Sequence, residues 1–177
     1  MLKLIGIVVV VLIVAAAAVV AYASTGPDSF RVQRSASIKA PPDRIFPLIA
    51  DYRNWAQWSP YENRDPEMKR TYSGPPSGKG AKYAWEGNRN VGSGEMEIID
   101  TTPNKILIKL DFMRPFEAHN VAEFTLHPQG DATSVTWAMQ GPVPLFGKVM
   151  HMVMDMDKMV GTDFAAGLAR LKTAAEK

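Results

Sequence analysis

From residue 68 to residue 140 the chain is cut into short alternating segments by strong turn signals, and no proline follows from 145 to 175. The segments cover residues 68–73, 81–86, 94–100, 106–112, 118–127 and 133–140. They end at Gly74-Pro75-Pro76-Ser77-Gly78, Gly87-Asn88, Thr102-Pro103-Asn104, Arg114-Pro115, Pro128-Gln129-Gly130-Asp131 and Gly141-Pro142. Runs of this length with period-2 alternation are strands, and turns this tight join them as an antiparallel meander. Residues 30–39 alternate too, with Phe30, Val32, Ala36 and Ile38 on one parity, which predicts a seventh strand at the start. Residues 145–175 carry Leu145, Val149, Met152, Met156, Val160, Phe164, Leu168 and Leu171 at helical spacing. A single helix of that length runs about 45 Å, enough to cross a whole sheet. The expected class is α+β: a curved seven-stranded antiparallel sheet wrapped around a long C-terminal helix.

A second feature precedes the domain. Residues 4–23 contain no charge and are almost all Val, Ala, Ile or Leu. Twenty helical residues span about 30 Å, the thickness of a hydrocarbon core, and in lipid the helix wins because every backbone group must bond internally. Ala21-Tyr22-Ala23 also offers the small-x-small end of a cleaved leader, but the apolar run exceeds the roughly 7–15 residues of a leader core. We therefore expect residues 1–23 to be an uncleaved transmembrane anchor, with a signal peptide as the alternative. Residues 24–29 read as a linker and 30–177 as one domain. The flanking charges (Lys3 on one side; Arg31, Arg34 and Lys39 on the other) favour a single-pass protein whose domain is periplasmic or extracytoplasmic, with the cytoplasmic side as the alternative. Lipid bilayer through residues 4–23 is thus one expected partner.

Without the anchor, 154 residues carry a net charge of +1. That balance lacks the basic face nucleic acid requires, so no nucleic-acid partner is expected. The chain has no Cys, which removes disulfides, a thiol nucleophile and zinc sites built on Cys.

Between the strands, Ala40-Pro41-Pro42-Asp43 stops the first strand and opens a helix striped by Ile45, Phe46, Ile49 and Tyr52. Pro47 removes a backbone bond there, so a kink or a later start is expected. Trp55 and Trp58 fall in a short helical turn closed by Ser59-Pro60. Strand parity places Tyr83, Trp85, Met96, Ile98, Ile106, Ile108, Leu110, Phe112, Phe124, Leu126, Val135, Trp137 and Met139 inward, and charged residues such as Lys82, Glu95, Glu97, Lys109 and Glu123 outward. Gly92, Gly94, Ala118 and Ala122 share the inward parity and are expected to leave room for a partly hollow apolar interior. Asn120 is the one clearly polar inward residue of its strand. Arg34 and Arg70 have inward parity near strand ends, where they can reach a rim.

At this point the chain resembles the START-like superfamily, also called the polyketide cyclase/dehydrase and lipid-transport or SRPBCC group, with its helix-grip fold. The resemblance rests on Arg34-Ser35-Ala36-Ser37-Ile38-Lys39-Ala40-Pro41, then Ile45-Phe46, Ile49, Asp51-Tyr52, Trp55, Trp58, Ser59 and Pro60. It extends to residues 80–88 and to Val135-Thr136-Trp137-Ala138-Met139-Gln140-Gly141, and covers about residues 30–175. It implies a cavity for a small hydrophobic ligand between sheet and long helix. The superfamily holds lipid carriers, hormone and sterol binders, cyclases and chaperone activators, so the fold alone does not select among them.

The residues favour binding over catalysis. His119 has outward parity, His127 sits at a strand end, and no nucleophile motif is present. Glu95 and Glu97 form a solvated pair. The Met150–Met156 run places its sulfurs on two helix faces, which suits a deformable lining better than a soft-metal site. The expected cavity residues are Trp58, Tyr83, Trp85, Met96, Leu110, Phe112, Asn120, Trp137, Met152 and Met156. No catalytic residue, metal or cofactor is assigned. The expected function is membrane-anchored binding of a lipid or an isoprenoid- or polyketide-like compound. The alternative is a cyclase/dehydrase-type enzyme acting on a hydrophobic substrate in the same cavity. A third possibility is an interaction module, for which an exposed apolar patch near Trp55 or the Met-rich turn would be the sign.

Overall fold

The computed structural model describes residues 1–177, the side chain of Leu2 apart. Its elements run α1 (Leu2–Ser24), β1 (Ser29–Ile38), α2 (Pro42–Ala50), a 3₁₀ turn (Tyr52–Gln57), β2 (Lys69–Ser73), β3 (Lys82–Glu86), β4 (Ser93–Thr102), β5 (Lys105–Arg114), β6 (Ala118–Gln129), β7 (Ala132–Pro142), α3 (Leu145–His151) and α4 (Met156–Ala175). The seven strands form one antiparallel sheet in the order β1-β7-β6-β5-β4-β3-β2. All seven expected strands are present, their ends displaced by two residues or fewer. The inward parity holds: Ile98, Ile106, Ile108, Phe124, Leu126 and Val135 are fully buried.

α1 stands apart from the domain along nearly its whole length, with Leu4, Ile7, Leu12 and Val14 each more than half exposed. A helix so apolar and so bare lacks a partner in this chain for its surface. Both an anchor and a signal sequence satisfy that description.

α2 begins at Pro42, with Asp43 in its first turn and Pro47 in its interior. The later start expected from Pro47 does not occur. One absent N–H is tolerated in a nine-residue helix whose Ile45, Ile49 and Ala50 are buried. The next turn folds back on the helix end. Trp55 Nε1 donates to the Ile49 carbonyl at 2.9 Å and Trp58 Nε1 to the Leu48 carbonyl at 2.8 Å. Both indoles therefore bury their rings with the N–H satisfied.

The expected single C-terminal helix is two. The Met150 carbonyl accepts from both Val153 and Met154, closing the last turn of α3. Asp155 is extended, and its carboxylate accepts from the Lys158 N–H at 2.9 Å, capping α4. An Asp cap in mid-segment outweighs the continuous apolar stripe, because the stripe permits a helix while the cap starts one. Met152, Val153 and Met154 are left outside any helix and exposed.

α4 packs chiefly along β1, while α2 reaches β6. Arg34 fixes the start of α4: its Nη1 donates to Asp157 Oδ1 at 3.0 Å and its Nη2 to Oδ2 at 2.9 Å. At the other end Lys172 Nζ donates to the Ser37 carbonyl and Glu176 accepts from the Lys39 N–H.

Candidate functional site: the two ends of the inner sheet face

The inner face divides in two. At the end away from α1, aromatic side chains fill the space between sheet and helices. Trp137 stacks on Phe164 of α4 with ring centroids 4.0 Å apart and planes 10° from parallel, and on Phe124 at 5.1 Å. Trp58 meets Trp137 edge-on at 5.5 Å, and Trp55 lies 4.9 Å from Trp58. Rings 4.0 Å apart are in van der Waals contact, so Trp137 leaves no space between itself and Phe164 of α4. Sequence parity could assign them inward but could not show that they meet. The Tyr52 hydroxyl in this cluster is buried with no partner among the described residues. Burial, with Glu97 nearby, pushes its ionisation upward, so it stays a neutral phenol.

Gly94 does not leave the hollow expected of it. A Cβ there would run into the Asp111 carbonyl oxygen and the Trp85 ring, which lies across β4 at this point. The missing side chain makes room for a neighbour's large one. Gly167 does the same beneath Trp137, and Gly161 beneath the Arg34 guanidinium.

Beside this cluster lies a polar clip that the sequence reading missed. Tyr83 Oη donates to Glu62 Oε1 at 2.7 Å and Arg70 Nε to Glu62 Oε2 at 2.7 Å, while Arg70 Nη2 donates to the Glu62 carbonyl. Glu62 is buried, and both its carboxylate oxygens are taken. Desolvation first, and the bond to Glu62 second, push the Tyr83 ionisation upward, so the hydroxyl remains a donor. No local motif announces the clip, since its members are 8 and 21 residues apart. Arg34 and Arg70, expected at a rim, are both engaged in ion pairs with side chains of this chain.

Toward α1 the face is different. One cross-strand row runs Tyr83, Met96, Leu110, Asn120, with Gly141 and Phe30 continuing it on β7 and β1. Met96 is 8%, Leu110 9% and Asn120 7% exposed, whereas Ile98 and Ile108 one step deeper are at 0%. The row is therefore buried slightly less completely than the one beneath it. Phe112 and Trp85, one step nearer the mouth, are only half-buried. Asn120 lies with its Oδ1 over Gly141 and makes no hydrogen bond to a protein group among the described residues.

At the β1 end of this row an open groove of about 480 Å³ lies between Phe30, Arg31 and Val32 and the segment His151–Asp157. Phe30 meets the His151 ring edge-on at 6.3 Å. Met152 and Met156 of the expected set line it, together with Met154, Val153, His151 and Phe30, which the sequence reading did not assign to a site. The signal for the groove was the Asp155 cap, which opens the helix there. Of the ten expected residues, Met96, Leu110, Phe112 and Asn120 thus lie on the inner face toward α1 with Trp85 beside them, Met152 and Met156 line the groove, Tyr83 is in the clip, and Trp58 and Trp137 are in the packed cluster.

On the outer face His119 Nδ1 lies 2.8 Å from Asp111 Oδ1, and the bond to Asp111 raises the His119 ionisation above its ordinary value. Burial works to raise that of Asp111, but hydrogen bonds from Lys109 and His119 outweigh it and hold the carboxylate low. Among the described residues no three His, Asp or Glu side chains converge as a metal would require.

The domain is similar in structure to protein CV1439 from Chromobacterium violaceum, with a TM-score of 0.58 at 15% identity, covering 86% of this chain and 99% of that one. It is similar to the ginseng major latex-like protein 151 from Panax ginseng, with a TM-score of 0.55 at 13% identity, covering 85% and 97%. It is also similar to the di-domain ARO/CYC BexL from the BE-7585A biosynthetic pathway, with a TM-score of 0.62 at 12% identity, covering 87% of this chain and 52% of that one. At such identities the likeness is one of fold. No curated protein matches in sequence. The family model described as polyketide cyclase / dehydrase and lipid transport matches residues 29–176, nearly the whole domain, and the chain belongs to that family.

Proposed function

We propose that this protein binds a small hydrophobic ligand, a lipid or an isoprenoid- or polyketide-like compound, at the membrane to which α1 anchors it. The observation that carries the reading is Asn120. Its side chain, 7% exposed, sits in a cross-strand row that ends at Phe30, and Phe30 lines the groove that opens to solvent. Its amide atoms keep contact with solvent, and a ligand bearing one carbonyl or hydroxyl takes the place of that water. Met96, Leu110, Phe112 and Trp85 supply an apolar floor for the rest of the ligand. Met152, Met154 and Met156 supply a lining that adapts to irregular shapes. The domain lies on the periplasmic or extracytoplasmic side in this reading.

The full chain, extracted in native-lipid nanodiscs and stripped with solvent, is to be examined by mass spectrometry against an Asn120→Leu variant. One apolar class recovered near one per chain from the wild type, and depleted in the variant, is the expected result. Repeated recovery of an empty wild-type chain would sink the proposal.

A further inference from the structure

We infer that the open end of the domain rests on the bilayer surface, with Phe116 and Phe146 inserted at the boundary between headgroups and acyl chains. This rests on the reading of α1 as an anchor and deepens the proposed function by naming where the ligand comes from.

The first observation is a clamp. Lys148 of α3, its side chain only 10% exposed, pairs with Asp28 Oδ1 at 2.5 Å and lies 3.4 Å from the Ser24 carbonyl at the end of α1. The Val143 N–H donates to the Asp28 carbonyl at 2.8 Å. Residues 25–28 are therefore tied to the domain, and α3 lies beside the last turns of the apolar helix. A bilayer that takes in α1 meets α3 at its surface.

The second observation is where the domain shows apolar surface. Its exposed large apolar side chains are Met113, Phe116, Leu145, Phe146, Met152, Val153, Met154 and Met159. All but Met159 sit at the end of β5, on the β5–β6 connection or on residues 145–154. Phe116 and Phe146, 63% and 58% exposed, meet across those two segments at 5.5 Å. Both segments lie at the sheet end that holds the start of β1, the end of β7 and the groove. Tyr22, 69% exposed near the end of α1, marks the same level with the amphipathic ring typical of a membrane interface. Apolar side chains gathered on one end, continuous with a candidate span, match the way interfacial segments sink about 5–10 Å into the boundary. In that position the groove between Phe30 and Met154 opens onto the membrane, so an apolar ligand reaches the groove without crossing water.

The chain has no Cys, so single-cysteine variants carry a fluorophore at one site each. Phe116→Cys and Phe146→Cys, with Ala17→Cys in α1 and Asp131→Cys at the opposite end of the sheet as controls, are to be labelled with NBD. The full chain is then reconstituted into phosphatidylcholine/phosphatidylglycerol vesicles containing lipids spin-labelled at a shallow or a deep position. The labels at 116 and 146 should shift to the blue and lose most of their emission to the shallow quencher, with that at 17 quenched and that at 131 unaffected. If 17 is quenched while 116 and 146 behave like 131, the anchor stands and this inference is overturned. If 17 is not quenched either, the anchor reading fails and takes the inference with it.

Discussion

The packed end of the inner face and its open end are built from the same strands, and they differ in what the chain lays over them. Over the far end, α2, the 3₁₀ turn and α4 converge, and Trp55, Trp58, Phe124, Trp137 and Phe164 occupy the interior ring against ring. Over the near end α4 has not yet begun, because Asp155 starts it at Met156, and the groove between β1 and residues 151–157 lies open there. Stability is concentrated at one end, and the adaptable surface a ligand needs is concentrated at the other. The chain achieves this with one helix cap.

The contrast can be broken by mutation, and the largest effect belongs to the packed end. Trp137→Ala removes a ring that touches Phe164, Phe124 and Trp58, and should cost about 3–5 kcal/mol in denaturant unfolding. Phe112→Ala, at the half-buried end, should cost clearly less. Equal losses would mean that both ends carry the fold. Next comes the clip. Glu62→Gln leaves Arg70 without its anion, and breaking a fully buried pair costs about 3–5 kcal/mol. Because the Arg70 side chain keeps 26% exposure, we expect about 2–3 kcal/mol of the 3–5 typical of full burial, read from the same unfolding curves.

Asn120→Leu should reverse the usual pattern. Removing an unpaired polar group in favour of an apolar one of similar shape is expected to leave stability unchanged or raised, while ligand affinity falls about tenfold. A stability loss as large as that of Trp137→Ala would show Asn120 to be a structural residue. Met154→Ser, on an exposed segment, should shift stability by about 0.5 kcal/mol or less while slowing ligand exchange.

The smallest effect lies on the outer face. His119 is raised above its ordinary 6.5 by the bond to Asp111. A raised histidine contributes stability that is complete below the unfolded value and is lost as pH rises through the folded one. An NMR titration should therefore place its midpoint above 6.5, and Asp111→Asn should bring it back, with little change at the groove.

Much of this was readable in advance for a simple reason. Alternation with turn residues at fixed spacing assigns strands and faces from neighbours in sequence, so β1 to β7 and the burial of Ile98, Ile106, Ile108, Phe124, Leu126 and Val135 followed from local pattern. The interior volume did not. It depends on which large ring lies over which small residue, and Trp85 over Gly94 or Trp137 over Gly167 are meetings between distant positions. Expected cavity residues therefore divided among the inner face toward α1, the groove, the clip and a filled cluster. The Asp155 cap was visible, yet the apolar stripe on both sides of it read as one helix.

The chain alone settles that residues 4–23 form an apolar helix and that a seven-stranded antiparallel sheet follows, because both rest on properties of adjacent residues. The folded molecule settled where space remains. Packing is a sum over non-local contacts, and only those contacts show that the aromatic rings close one end and that Asn120 faces the other without a protein partner among the described residues.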